Sequence, residues 1–271
     1  MLVGATFRFD KEVVFALTGA PVSARLNQRP VPMWRAISAR RDDILSIGAL
    51  ASGVCSLLCV RGGIVTESVL GSRSTHVSAQ FGGIDGRPLR ARDKIRRGSV
   101  SRYAEASDAS GDRSMRDTMA DIARYVQRRS IRVVLGPHTH MISGDVRSLL
   151  EGDDYTISVE TSRVGTRLEG KKIVDPPSGS METEAAWPGA IQLLPSRLPI
   201  VLGPEAAPTG GYPIIASVIA ADLPSFAQKR AGDCIRFVCV TLEEARQADL
   251  AARSSLDHVL HSHVQPEGVS G

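Results

Sequence analysis

Gly189-Ala-Ile-Gln-Leu-Leu-Pro-Ser-Arg-Leu-Pro-Ile-Val-Leu202 contains two short apolar runs, Ile191 to Leu194 and Pro199 to Leu202, around a Pro195-Ser196 turn. Short apolar runs bounded by turn formers read as strands. Gln192 interrupts the first run, so its amide needs partners inside the fold or at the edge of a cleft. A satisfied structural amide would read the same way.

The same pattern extends in both directions. Upstream, Ile131 to Leu135 stops at Gly136-Pro137, and Tyr155 to Val159 follows. Downstream, Gly232-Asp233 turns into Cys234 to Val240, where Ile235, Phe237 and Cys239 fall on one face. Near the start, Val13 to Leu17, Val22 to Leu26, Ile44 to Ile47 and Val54 to Val60 are strand candidates, and Asn27 to Pro30 reads as a turn. Turns recur at about the 8–12-residue interval expected of a β-barrel or sandwich. Phe81 to Pro88 is dense in turn formers, and Asp175 to Ser180 is a second loop. Gly98 to Arg113 reads as a linker or a long surface loop. A helix is expected from Ser114, with Met115, Met119, Ile122, Ala123 and Val126 on one face. Asp222 and the following Pro predict a capped short helix. Thr241-Leu-Glu-Glu244 is a capping box opening a C-terminal helix. The reading is mainly β with a few short helices. Residues 1–128 form a first half with linker and helix, 129–245 a second half, and 246–271 the helix end and a loose tail.

Composition narrows the function classes. The chain has 271 residues, 42% hydrophobic and 23% charged, which suits a globular core and excludes global disorder. Aromatics are only 4%, so the core relies on Val, Ile, Leu and Ala. The net charge of +4 comes mainly from scattered Arg, without the basic runs interleaved with aromatics that would mark a nucleic-acid surface. No apolar stretch approaches the roughly 18 residues that would span a membrane, and the first residues lack a secretory leader pattern. A cytoplasmic location is expected. Cys55, Cys59, Cys234 and Cys239 lack CxxC spacing and lie in apolar runs, so buried free thiols are expected.

Common catalytic motifs are absent: there is no GxxxxGK[ST], GxSxG or HExxH. No metal set is recognised. His138-Thr-His140 suits a polar site better than a metal, and His258, His261 and His263 fall in the tail. In Thr209-Gly-Gly-Tyr-Pro213, Gly210 and Gly211 let the backbone approach a ligand, and Tyr212 adds a phenol donor. A tight turn before a strand would use the same residues. Arg163 and Arg167 share a face if their segment is extended, and two guanidinium forks suit a carboxylate or a carboxyphosphate. A solvated salt-bridge ladder with Glu169 is the alternative.

Taken in order, Gly189 to Gln192, Leu198 to Leu202, Thr209 to Pro213, Val218 to Leu223, Ala227-Gln228, Gly232-Asp233 and Arg236-Phe237 resemble the carboxyltransferase-domain family. That family includes the C subunit of 5-oxoprolinase, allophanate hydrolase subunit 2, the antagonist of a sporulation-kinase inhibitor, and a region of urea carboxylase. Upstream, Leu70 to Thr75 with Arg73, Phe81 to Gly83, Gly86 to Leu89, Gly136 to His138 and Arg163 to Gly170 are similar to its other signatures. The resemblance implies tandem cyclophilin-like β-barrels. The family's opening Gln-Asp-Leu-Gly-Arg and Ser-Gly-Ala-Met-Asp segments are not found, so the first barrel is expected to be incomplete. An incomplete barrel has open edges for a partner to cover, and the second half, 131–240, is expected to be the better ordered.

The resemblance also implies roles. Gln192, Tyr212 and Glu205 would be catalytic; Arg163, Arg167, Gly210, Gly211, His138 and Arg73 would bind substrate. Where relatives read Asp-Arg-Gln-Thr before the Thr-Gly-Gly-Tyr-Pro run, this chain reads Glu205-Ala206-Ala207-Pro208. That departure removes a side-chain amide and a backbone donor, which implies lowered activity. The implied function is that of one component of an ATP-dependent complex that opens 5-oxoproline to glutamate. Its implied partner is a subunit-B-like protein, with an A-type subunit as a further candidate. ATP enters through the resemblance, with no recognisable motif of its own. Two alternatives remain: a biotin-dependent carboxyltransferase domain, for which biotin would be the cofactor, and a non-catalytic antagonist that binds a partner protein.

Overall fold

The computed structural model describes residues 4–99, 127–173 and 181–261. The chain divides into two compact units, Met1–Arg116 and Asp117–Gly271. The expected helix at 114–126, the loop 175–180 and the tail past 261 lie outside the described residues, as does nearly all of the expected linker.

The first unit contains β1 (Ala5–Arg8), β2 (Val13–Gly19), β3 (Val22–Leu26), β4 (Arg29–Val31), β5 (Ile37–Ala39), β6 (Ile44–Leu50), β7 (Ser56–Val60), β8 (Ile64–Val65) and β9 (Arg96–Arg97). Among the described residues they make three open sheets: β1-β6-β3-β4, β5-β2-β7 and β8-β9. Strand β2 alternates strictly, burying Val13, Phe15 and Leu17 on one face. The expected turn at Asn27 to Pro30 is tighter than its sequence suggests. Only Asn27 and Gln28 turn, with φ of 48° and 68°, and Arg29 already pairs with Leu26. Both central residues are left-handed, as a type I′ two-residue hairpin requires. Pro30 is accommodated because β4 is an edge strand. The Glu67–Lys94 region is a loop, fastened by a bidentate Arg87–Asp93 pair at 2.8 and 2.9 Å. Hydrogen bonds from the Arg87 side chain and the Arg90 backbone hold the Asp93 carboxyl down at about 2.

The second unit contains β10 (Ser130–Leu135), α1 (Val146–Glu151), β11 (Tyr155–Thr161), β12 (Gly165–Glu169), β13 (Glu184–Ala185), β14 (Ala190–Leu193), β15 (Pro199–Leu202), β16 (Thr209–Gly210), β17 (Ile214–Val218), α2 (Leu223–Phe226), β18 (Cys234–Cys239) and α3 (Leu242–His261). Seven strands close a barrel in the order β10-β17-β14-β15-β12-β11-β18. Six of its steps are antiparallel, and a ring with an odd number of strands cannot alternate throughout. One neighbouring pair must run parallel, and it is β10 with β18, in register from Ser130↔Arg236 to Val133↔Cys239.

Ile131, Val133, Ile157, Leu168, Ile191, Leu193, Val201, Ile235 and Phe237 fill the core, with Leu150 of α1 packed among them. Each such side chain contributes about 2 kcal/mol on burial. Tyr155 meets Phe237 with ring centroids 5.4 Å apart. The Thr241 capping box forms as expected: the Glu244 N–H donates to Thr241 Oγ1, and Glu244 Oε2 accepts from the Thr241 N–H at 2.7 Å.

Two expectations are corrected. Asp222 does not cap α2 with its side chain. Its fully buried carboxylate instead accepts the Arg132 backbone N–H at 2.8 Å, Nε–H at 3.0 Å and Nη2–H at 2.6 Å. Ile219 N–H donates to the Arg132 carbonyl at 3.1 Å. Beyond Val218, where β17 ends, Ile219 and Asp222 thus continue the pairing of β10. A charge-assisted bond to a strand amide and guanidinium is worth more than a cap in solvent. The cysteines also differ from expectation, because Cys55, Cys59 and Cys234 are exposed and only Cys239 is buried. Cys59 and Cys234 occupy outward positions of half-buried strands, so an apolar run around them does not bury their thiols.

Asp222→Ala should lower the unfolding free energy by about 3 kcal/mol, because it removes the buried carboxylate that binds both the Arg132 amide and its guanidinium; urea denaturation monitored by circular dichroism measures it. Burial, then the nearby Glu151, pushes the Cys239 thiol up to about 11. Alkylation of the folded protein at neutral pH should therefore label Cys55, Cys59 and Cys234 and spare Cys239 until unfolding, as read by peptide mass spectrometry.

Candidate functional site

All four residues of β14 are buried. Ile191 and Leu193 point into the barrel core, so Ala190 and Gln192 occupy the outer face, and something must cover them. The cover is a short ribbon of β13 paired with β16, Glu184↔Gly210 and Ala185↔Thr209, extended by an Ala186 N–H bond to the Pro208 carbonyl at 2.8 Å. Ala186 and Ala206 pack on Ala190, Leu202 and Ile214. Trp187 pins the ribbon's end, its indole Nε1–H donating to Ser217 Oγ at 3.0 Å.

Gln192 is 5% exposed beneath this ribbon. A Cβ added to Gly210 would stand 2.8 Å from Gln192 Nε2, so Gly210 makes room for the amide. A Cβ on Gly211 would meet only the Met181 carbonyl, at 3.5 Å. Tyr212 follows at the surface, 44% exposed. The Pro213 carbonyl accepts from Leu193 N–H at 3.0 Å and locks the turn to β14.

His138 follows Gly136-Pro137, where β10 can no longer pair because proline lacks an N–H. Its backbone N–H donates to the Ile214 carbonyl at 3.2 Å, and its ring Nδ1 accepts the Ile214 N–H at 2.9 Å. The ring thus gives the Ile214 N–H an acceptor beyond the end of β10. Because Nδ1 accepts, the proton of the neutral ring resides on Nε2, which donates to Glu184 Oε2 at 3.1 Å. Both ring nitrogens are engaged, which leaves His138 a polar bracket.

Arg163 lies in the bend before β12, and Arg167 lies on β12. The two guanidiniums are bound to different carboxylates. Arg163 Nε donates to Glu205 Oε1 at 2.5 Å, and Arg167 Nε is 3.6 Å from Glu160 Oε2. The Glu205 side chain is 8% exposed, so this pair fastens the loop after β15 to the bend before β12. Arg73 belongs to the first unit, exposed in the long loop, with its carbonyl accepting the Thr66 hydroxyl at 2.8 Å. The structure therefore places Gln192 beneath Gly210 and beside Ile214, which His138 holds, leaves Tyr212 at the surface two residues past Gly210, and joins Arg163 and Glu205 as a separate pair. Glu184 and Trp187 carry no signal in the sequence. Both lie in a short stretch of mixed polarity without periodicity, and only the ribbon pairing gives them a place.

Residues 1–239 match the family described as carboxyltransferase domain, subdomain A and B. The chain belongs to this family. Among carboxyltransferase-domain proteins, the 5-oxoprolinase C subunit of Haemophilus influenzae is 31% identical over 258 residues, which cover 95% of this chain and 79% of that protein. The corresponding C subunit of Escherichia coli is 32% identical over 244 residues, 90% of this chain and 74% of that one. The crystal structure of Kluyveromyces lactis urea carboxylase superposes with a TM-score of 0.79 at 25% identity, covering 97% of this chain and 24% of the enzyme. The mainly β reading of the residues and the carboxyltransferase fold implied by the resemblance are thus both observed.

The Gly210 contact gives a direct check of the site geometry. Gly210→Ala should displace the Gln192 side-chain NH2 resonances in a 1H–15N spectrum and leave the thermal midpoint within a few degrees, whereas Gly211→Ala should leave those resonances in place.

Proposed function

We propose that this carboxyltransferase-domain chain is the C-type component of a complex that opens 5-oxoproline to glutamate with ATP. The observation that carries the reading is Gln192, a buried amide on the outer face of β14, roofed by Gly210, with the exposed Tyr212 two residues further along the same turn. Similarity to two bacterial 5-oxoprolinase C subunits over about three-quarters of their length supports it. A lactam carbonyl resists attack because resonance spreads charge onto its oxygen. Donors preorganised in a dry site stabilise that oxygen as charge develops. In this reading the Gln192 amide donates to the lactam carbonyl, and the Tyr212 hydroxyl is a second donor from the rim. Glu205 acts with Arg163 to hold the loop that borders the site. ATP supplies the driving force from a surface shared with a subunit-B-like partner, and an A-type subunit completes the assembly in the cytoplasm. No helix among the described residues is long and apolar enough to cross a membrane.

A second reading is a carboxyltransferase that moves CO2 from carboxybiotin to an amide, favoured by the likeness to urea carboxylase. The two differ in their co-substrates and are separated by one experiment. The chain is co-expressed with B-type and A-type neighbours, and the purified assembly is given ATP and 5-oxoproline. Glutamate release that requires both, and that falls at least about a hundredfold when Gln192 and Tyr212 are both changed to Ala, is the expected result. Bicarbonate- and biotin-dependent carboxylation of urea would select the second reading. A stoichiometric complex without turnover, unaffected by the double change, would mark a binding antagonist.

A further inference from the structure

We propose that Glu184 is a positioning residue, setting the tautomer of His138 and thereby holding Ile214 and the Thr209–Pro213 turn against Gln192. Its effect on turnover rests on the activity proposed above, but the positioning itself is measurable without that activity.

Neutral imidazole has one donor and one acceptor nitrogen, and in water both tautomers are populated. Here the ring has opposite demands at its two ends. Ile214 presents an N–H, which needs a bare Nδ1, at 2.9 Å. Glu184 presents a carboxylate oxygen, which needs Nε2–H, at 3.1 Å. A single tautomer satisfies both, and the Ile214 N–H and the Glu184 carboxylate favour it together. His138 is 7% exposed, so water is a poor substitute for either partner. Glu184 in turn belongs to β13 and pairs with Gly210, the residue that roofs Gln192. The one carboxylate therefore connects the end of β10, the start of β17 and the ribbon over the amide. The arrangement parallels metal and triad histidines, where the partner on one nitrogen decides what the other can do. Here the other nitrogen serves a backbone amide.

The test uses the full chain labelled with 15N-histidine, together with hydrogen exchange of the Ile214 amide. In the wild type, His138 should give the long-range 1H–15N pattern of the Nε2–H tautomer, and Ile214 should be protected. Glu184→Ala should mix the tautomers and speed Ile214 exchange about tenfold, the loss of one buried hydrogen bond. Glu184→Gln keeps an acceptor oxygen and should restore both readings. Glu184→Lys presents a donor where an acceptor stood and should swap the tautomer to Nδ1–H. The Glu184 side chain is 55% exposed, so the variants should fold with little change in thermal midpoint. An Nδ1–H pattern in the wild type would overturn the proposal. So would an Ala or Lys variant with unchanged tautomer and unchanged Ile214 protection. In the assembled complex, Glu184→Ala should lower turnover and Glu184→Gln should rescue it. A tautomer shift as expected in a complex without wild-type turnover would defeat the proposed activity and leave the positioning role standing.

Discussion

A ring of seven strands cannot alternate in direction all the way round, and the second unit is organised by how it resolves that constraint. The parallel seam between β10 and β18 is the resolution. Parallel pairing is slightly weaker per residue than antiparallel pairing, and this seam is reinforced from behind. Asp222, fully buried, bonds the Arg132 backbone and guanidinium together, so the strand on the weaker side of the ring is also tied to the start of α2. The same strand ends at Gly136-Pro137, and there His138 takes over the pairing of Ile214 with its side chain. Along β10, side chains thus supply bonds that the strand ladder supplies elsewhere.

The site follows from the barrel's second surface. A strand buried on both faces needs an outer cover, and β14 receives one from a ribbon only two residues wide on each side. Gln192 lies at the boundary between the two layers, directly beneath Gly210. Gly210 leaves room there for the amide beneath it, a steric reason distinct from the anion-cradling role that a glycine pair suggests in isolation. The arginines show the same lesson: a spacing of four makes Arg163 and Arg167 look like one clamp, but β12 begins between them and each has its own carboxylate.

How much of this is legible in the residues depends on the range of the signal. Strands with local patterning can be read nearly to their ends, including β2, β3, β15 and β18, and the Thr241 capping box can be read atom for atom. Strand β12 escapes such a reading because Gly-Thr-Arg-Leu-Glu is polar on one side and its hydrophobic content is one leucine. Asp222 suggests the short-range role that Asp commonly plays before a helix, whereas its true partner lies 90 residues away in sequence. The thiols mislead because an apolar run does not say which of its alternate positions faces inward. Glu184 is silent for the same reason as Asp222: its significance comes from a histidine 46 residues distant.

The seam also bears on the order of assembly. Strand β10 is the first strand of the barrel to leave the ribosome and β18 the last, yet these two are the neighbours that close it, with Ser130 opposite Arg236. Until the final strand appears, β10 can pair only with β17 and has an open edge toward the missing partner. Closure is thus a long-range event that loses its loop entropy before it gains its contacts. Both barrel neighbours of β10 thus come from the last quarter of the unit's strands, and the ring cannot close until Cys234–Cys239 has been made.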